Sequence, residues 1–104
     1  MAKVYIVNNG GHDYSGAQNF GELVFCTKGN IDRSDTAQMF RDLSAAFVEA
    51  DVDDYLLITS LTSLCCVATG MLADRFGKVN FLLFESGHYI PRTVVFESAA
   101  IGSY

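Results

Sequence analysis

A chain of 104 residues can bury one core and is too short to divide into several; half of its residues are hydrophobic and 18% are charged. A net charge of −5, from seven basic and twelve acidic residues, offers no basic face to duplex nucleic acid, yet leaves room for one small phosphate held by backbone N–H groups. Cys26, Cys65 and Cys66 are odd in number with two adjacent, which suits neither a disulfide framework nor zinc, and no apolar run is long enough to cross a bilayer.

The chain enters a strand pattern at once, with no signal-peptide core, so reduced cysteines and a cytoplasmic location are expected. Lys3–Val7 (KVYIV) is apolar on both faces, as in a buried parallel strand. Asn8, Asn9, Gly10 and Gly11 end it in a turn. Within HDYSGAQNFG, Asp13 is a candidate N-cap, Ala17 and Phe20 share one side of a short helix, and Gly21 is its stop; a loop is the alternative. A short helix here would let the second strand, Glu22–Thr27 (ELVFCT), run parallel to the first.

Helix one is predicted from about Ser34 to Ala50, with Phe40, Leu43 and Phe47 repeating at helical spacing and Ala37 and Ala50 extending the stripe. Ser34 or Asp32 is its expected cap, and Asp35 suits the positive end of the dipole. Asp51–Asp54 reads as a solvated loop leading into strand three, Tyr55–Thr59. Ser60, Thr62 and Ser63 then crowd the start of helix two, Leu61–Phe76, a place that caps a helix or receives an anion. That helix is apolar all round until Asp74 and Arg75, so burial on more than one side is expected, with a second copy of the chain as the further cover. Gly77 ends it. Strand four is Lys78–Phe84, Glu85–His88 is a tight connection, and Tyr89–Phe96 returns as strand five, placed at an edge by Pro91. Glu97–Tyr104 carries no clear signal and is expected to fray or to join an interface.

Together these elements predict a single α/β domain over residues 1–104, a small two- or three-layer flavodoxin- or Rossmann-like sheet. The expected order is 2-1-3-4-5, mostly parallel, with strand five antiparallel at the rim. Both long helices then share one face and the short segment covers the other. Strands one, three and four are apolar on both faces, so a homodimer or higher oligomer is expected.

In an open α/β sheet, ligands bind beyond the carboxyl ends of the strands. Four loops would meet there: Asn8–Tyr14, Thr27–Asn30, Thr59–Ser63 and Glu85–His88. The candidate ligand-binding residues are Asn9, Gly10, Gly11, His12, Asp13, Tyr14, Lys28, Ser60 and Thr62. Asn9 to Asp13 would form one wall, Tyr14 would stack on a base, and Lys28 would supply charge. Ser60, Thr62 and the helix N–H groups would take an anion. Each has a plainer reading. Gly10-Gly11 is neither G-x-G-x-x-G nor part of G-K-[ST] and suits a tight turn; Ser60 suits an N-cap, and His12 a surface loop. His12, Asp13 and His88 lack metal-ligand spacing, so neither a metal nor a cofactor is expected. Cys65 and Cys66, on an apolar helix, make poor nucleophiles.

The segments VYIVNNGGHDYSGAQNFGELVF, DDYLLITSLTS and GKVNFLLFESGHYIPRTVVF resemble a family of small proteins of about 100 residues encoded in tailed-phage and metagenomic phage genomes. The family carries no established activity. The resemblance implies a setting, the bacterial cytoplasm during infection, and a role such as sequestering a nucleotide messenger of host defence.

Three functions fit these features. The first is a non-enzymatic homodimer holding a small anionic or nucleotide-like ligand. The second is a protein-interaction dimer whose apolar surface meets a host or phage partner. The third is a phosphoesterase or nucleotide hydrolase with His12 as acid–base and Asp13 orienting it. None calls for a membrane.

Overall fold

In a computed structural model, which describes residues 2–97, five strands form one sheet: β1 (Lys3–Ile6), β2 (Glu22–Phe25), β3 (Tyr55–Leu57), β4 (Lys78–Glu85) and β5 (His88–Val95). Their order is β2-β1-β3-β4-β5. The first four are mutually parallel and β5 runs antiparallel to β4, as the chain's alternation of apolar runs and crossovers predicts. The expectation for the tail falls, beyond Glu97, outside the described residues.

Period two along β1 divides the core. Tyr5 and Val7, with Leu56 and Val79, face α1 (Thr36–Ala46) and α2 (Thr62–Phe76), where Met39, Leu43, Leu64, Ala68 and Leu72 are buried together with Phe47 of the 3-10 turn that follows α1. Val4 and Ile6, with Leu57 and Leu82, face the other way. There a single 3-10 segment, Ser15–Phe20, covers them through Ala17, with Tyr14 and Phe20 alongside. Val4, Ile6, Leu57 and Leu82 are 0–1% exposed within one chain. The expectation that one chain could not cover both faces is thus corrected for the centre of the sheet, because aromatic side chains extend the reach of a six-residue segment. Gly21 makes that close packing possible: a Cβ there would lie 2.2 Å from the Ala2 carbonyl oxygen.

The helix ends differ in detail from expectation. Asp35 caps α1, its carboxylate accepting from the Gln38 N–H at 3.0 Å. Asp32 instead turns back onto Ser34, accepting from its N–H at 3.0 Å and its hydroxyl at 2.7 Å. Met39, not Phe40, completes the buried stripe, and Phe40 is 56% exposed. Asp54 is no solvated loop residue either. It accepts from the Lys3 N–H at 2.8 Å and the Asp51 N–H at 2.8 Å and pairs with the Lys3 ammonium at 3.1 Å, joining the starts of β1 and β3. In α2, burial is one-sided: Leu64, Cys65, Ala68 and Leu72 are inside while Ser63, Cys66, Gly70 and Asp74 are exposed. Gly77 ends that helix in the left-handed region, φ +71°, with its N–H on the Ala73 carbonyl.

β4 and β5 form a hairpin closed by Ser86-Gly87, both at positive φ (51° and 83°), the two-residue geometry that matches strand twist. The Phe96 N–H donates to Gly77 O at 2.8 Å. By the alternation of an antiparallel ladder, Val94, Arg92, Ile90 and His88 therefore direct their backbone groups to β4. Tyr89, Pro91, Thr93 and Val95 direct theirs outward. Pro91 thus costs the sheet no bond and interrupts the outer row of donors.

Candidate functional site

Past β1 and β2 the chain stays paired. The Asn9 N–H donates to Thr27 O at 2.8 Å and the Gly29 N–H to Asn9 O at 3.2 Å, a continuation of the ladder as a parallel bridge between Asn9 and Lys28. Asn8, 7% exposed, locks this seam. Its side-chain amide donates to Gly29 O at 2.9 Å, and its carbonyl accepts from the Thr27 hydroxyl at 2.8 Å. The loops after β1 and β2 therefore form one wall whose buried polar groups are satisfied.

The wall opposite is the β3–α2 junction. The Cys65 thiol packs under it, accepting from the Thr59 N–H at 3.4 Å and lying 3.7 Å from the Thr59 carbonyl, while the Thr59 hydroxyl accepts from the Leu61 N–H at 3.2 Å. The thiol thus ties the end of β3 to the first turns of α2. Leu61 stands at the N-cap of α2 and no side chain caps the helix. Ser60, Thr62 and Ser63, the expected caps, make no such side-chain bond; the Ser60 carbonyl takes the Thr62 N–H at 2.9 Å, and the next N–H groups of the first turn carry the positive end of the dipole.

Between the walls lies a cavity of about 370 Å³ lined by Asn8, Asn9, Gly10, His12, Tyr14, Asn30, Arg33, Thr59 and Ser60, among others. It opens where β1 sends its chain to one face of the sheet and its neighbour β3 sends its chain to the other, the switch point at which open α/β sheets bind ligands. Five of the nine residues singled out from sequence meet in it: Asn9, Gly10, His12, Tyr14 and Ser60.

The other four lie elsewhere. Gly11 forms the turn, at φ +96°. Asp13 borders an adjoining hollow of about 280 Å³ with Tyr14, Phe84 and Tyr89. Thr62 borders a small recess beside Arg33 and Ser60. Lys28 falls on the far side of the β2–α1 loop, in a cavity with Asp32, Asp35 and Asp42. The cation beside the switch point is Arg33, which sequence reasoning missed. The loop after β2 was bounded at Asn30, three residues short of the position where it runs back along the strand ends.

Charge in the cavity departs from that of the chain. Its one charged lining residue among those described is Arg33, and no aspartate or glutamate lines it, although acids outnumber bases twelve to seven overall. His12 and Asp13 form no catalytic pair. The Asp13 carboxylate accepts from the Ser15 N–H at 2.9 Å, and this bond, with the Ser15 side chain, lowers its pKa. The His12 ring instead meets Tyr14 edge-on, centroids 6.1 Å apart. Burial, with Cys65 nearby, pushes the Cys26 thiol up to about 12. Among the described residues no group of three or more His, Cys, Asp or Glu is arranged to hold a metal ion, and no helix is long and apolar enough to cross a membrane.

The chain matches the model of the phage Pam3 gp32-like protein family over residues 2–96, which covers every element of the sheet and both walls of the cavity. Comparison with curated proteins and with solved structures returned no match. The chain belongs to the phage Pam3 gp32-like protein family.

Proposed function

We propose that this phage-family protein is a non-enzymatic binding protein that holds a small anionic, nucleotide-like ligand in the switch-point cavity. The observation that carries this reading is the sorting of charge: in a chain of net charge −5, the cavity at the strand ends is lined by Arg33 and by no carboxylate among the described residues. An uncapped helix start beside Ser60 adds a second source of positive potential. Walls held by satisfied side-chain bonds suit capture without closure. Against the hydrolase reading, His12 has no orienting carboxylate and stands against Tyr14 instead. Membership of a phage family supports action in the infected bacterial cytoplasm, where holding a nucleotide away from a host receptor would be counter-defence.

The working unit in this proposal is a homodimer. Support comes from the open end of the hairpin, where the consecutive apolar residues Val94, Val95 and Phe96 are 42–64% exposed. The same side chains are what favours the interaction reading, in which a host or phage protein covers them.

Thermal denaturation against a panel of inorganic phosphate, pyrophosphate and nucleotides tests the binding. A ligand at 100 times its Kd stabilises the fold by about 2.7 kcal/mol, a rise in midpoint on the order of 10 °C for a domain this size. Ser60→Asp, which sets a carboxylate in the cavity on an exposed residue, is expected to abolish that rise while leaving the unliganded midpoint within about 2 °C of the parent, since exposed substitutions cost little. If no anion shifts the parent, the binding reading is wrong.

A further inference from the structure

The hollow that adjoins the anion cavity has the opposite character. His12, Tyr14, Thr59 and Ser60 border both spaces, so the two lie side by side. Beyond them the second space is walled by Phe84 and Tyr89, whose rings lie 5.0 Å apart. Phe84 is 61% exposed, a large apolar ring presented to solvent at the carboxyl end of β4. Its Tyr89 partner on β5 meets it at a tilt of 59°. The one carboxylate bordering this pair of spaces, Asp13, stands on the aromatic side and is absent from the Arg33 side. Its carboxylate accepts from the Ser15 N–H, which keeps it ionised and leaves acceptor capacity to spare.

A ligand that fits both spaces at once must have an anionic end, a flat π face, and a hydrogen-bond donor on the edge of that face. We infer that the ligand is an amino-bearing nucleotide, with its phosphate toward Arg33 and the start of α2, its base on the exposed Phe84 ring beside Tyr89, and its exocyclic amine donating to Asp13. This rests on the anion-binding reading above and assigns the aromatic hollow to the same ligand. Stacking on aromatic rings is tolerant of base identity, so the rings supply affinity and Asp13 supplies the choice among bases.

Isothermal titration of the full chain with AMP, IMP and ribose 5-phosphate separates the two readings. AMP is expected to bind roughly fivefold or more tighter than ribose 5-phosphate, the low end of what stacking one base contributes. It is also expected to bind several-fold tighter than IMP, which replaces the amine with a carbonyl that Asp13 would repel. Phe84→Ala, at an exposed position, should erase the first gap and leave ribose 5-phosphate affinity unchanged. Asp13→Asn should erase the preference over IMP; if it weakens folding through Ser15, the AMP-to-IMP ratio still reports on the contact because both ligands meet the same protein. Ribose 5-phosphate binding as tightly as AMP would overturn the base assignment while leaving the anion site standing. Equal binding of AMP and IMP by the parent chain would overturn the role of Asp13. Failure of all three to bind would remove the anion reading and this inference together.

Discussion

Single side chains decide the character of the cavity, and several have measurable signatures of their own. Arg33 is the cation at the switch point, so Arg33→Ala is expected to weaken phosphate binding about tenfold or more, the worth of a charge-assisted hydrogen bond, with no loss of thermal stability. Lys28→Ala, in a cavity that already holds three aspartates, should leave binding within about twofold. Burial raises both Tyr5 and Cys26 to about 12 from their ordinary values of 10.0 and 9.0. An acid whose folded pKa lies above its unfolded value stabilises the fold fully below the unfolded pKa, and that stabilisation is lost as pH rises toward the folded one. The denaturation midpoint should therefore fall between pH 9 and pH 12, and Cys26→Ser should shift the start of that fall upward. Arg33 was illegible in the sequence because a loop cation far from a strand end announces nothing; only the return of the β2–α1 loop along the sheet edge gives it a site.

The secondary elements show where periodicity reads true and where it misleads. Continuous apolar runs placed β1, β3 and β4 in a parallel sheet, since only strands covered on both faces can be apolar throughout. Helix α1 was legible as a helix and misread in phase. The spacings of three and four point to Phe40 with Leu43 and Phe47, yet Met39, four residues before Leu43, fits the same face; the sheet accepts Met39 and leaves Phe40 outside. Capping erred by one residue for a related reason, because Asp32, Ser34 and Asp35 all have N-cap chemistry and only the entry path selects Asp35. Asp35→Ala should cost about 1 kcal/mol, and Ser34→Ala only a few tenths, in urea denaturation. The hairpin offers a sharper contrast. Arg92→Pro removes an inward donor opposite Phe81 and should cost about 3 kcal/mol or more. Pro91→Thr, on the outward row, should leave the midpoint near the parent value while increasing self-association by light scattering, as the outer row of donors becomes continuous.

At the scale of the molecule, the strand order 2-1-3-4-5 creates the site. Reversal of crossover direction between β1 and β3 parts their loops, and the cavity is the space so opened. The topology could be read from the order of elements, and with it the meeting of Asn9, Gly10, His12, Tyr14 and Ser60. The outer cover of the sheet could not, because the reach of Tyr14 and Phe20 over β1 and β3 depends on ring placement that a low-propensity stretch does not announce. With the centre of the sheet already covered, the homodimer proposed here is placed at the open end of the hairpin. Charged replacement of Val95 and Phe96 should then convert a dimer to a monomer by light scattering without loss of thermal stability. The most direct test of the anion site is a two-dimensional ¹H–¹⁵N titration of the full chain with AMP. The expected result is saturable shifts confined to the N–H groups of Asn9, Gly10, Arg33 and Ser60–Leu64, with the start of α2 moving most. Shifts concentrated on β2 or on the exposed side of α1, with the start of α2 unmoved, would contradict it.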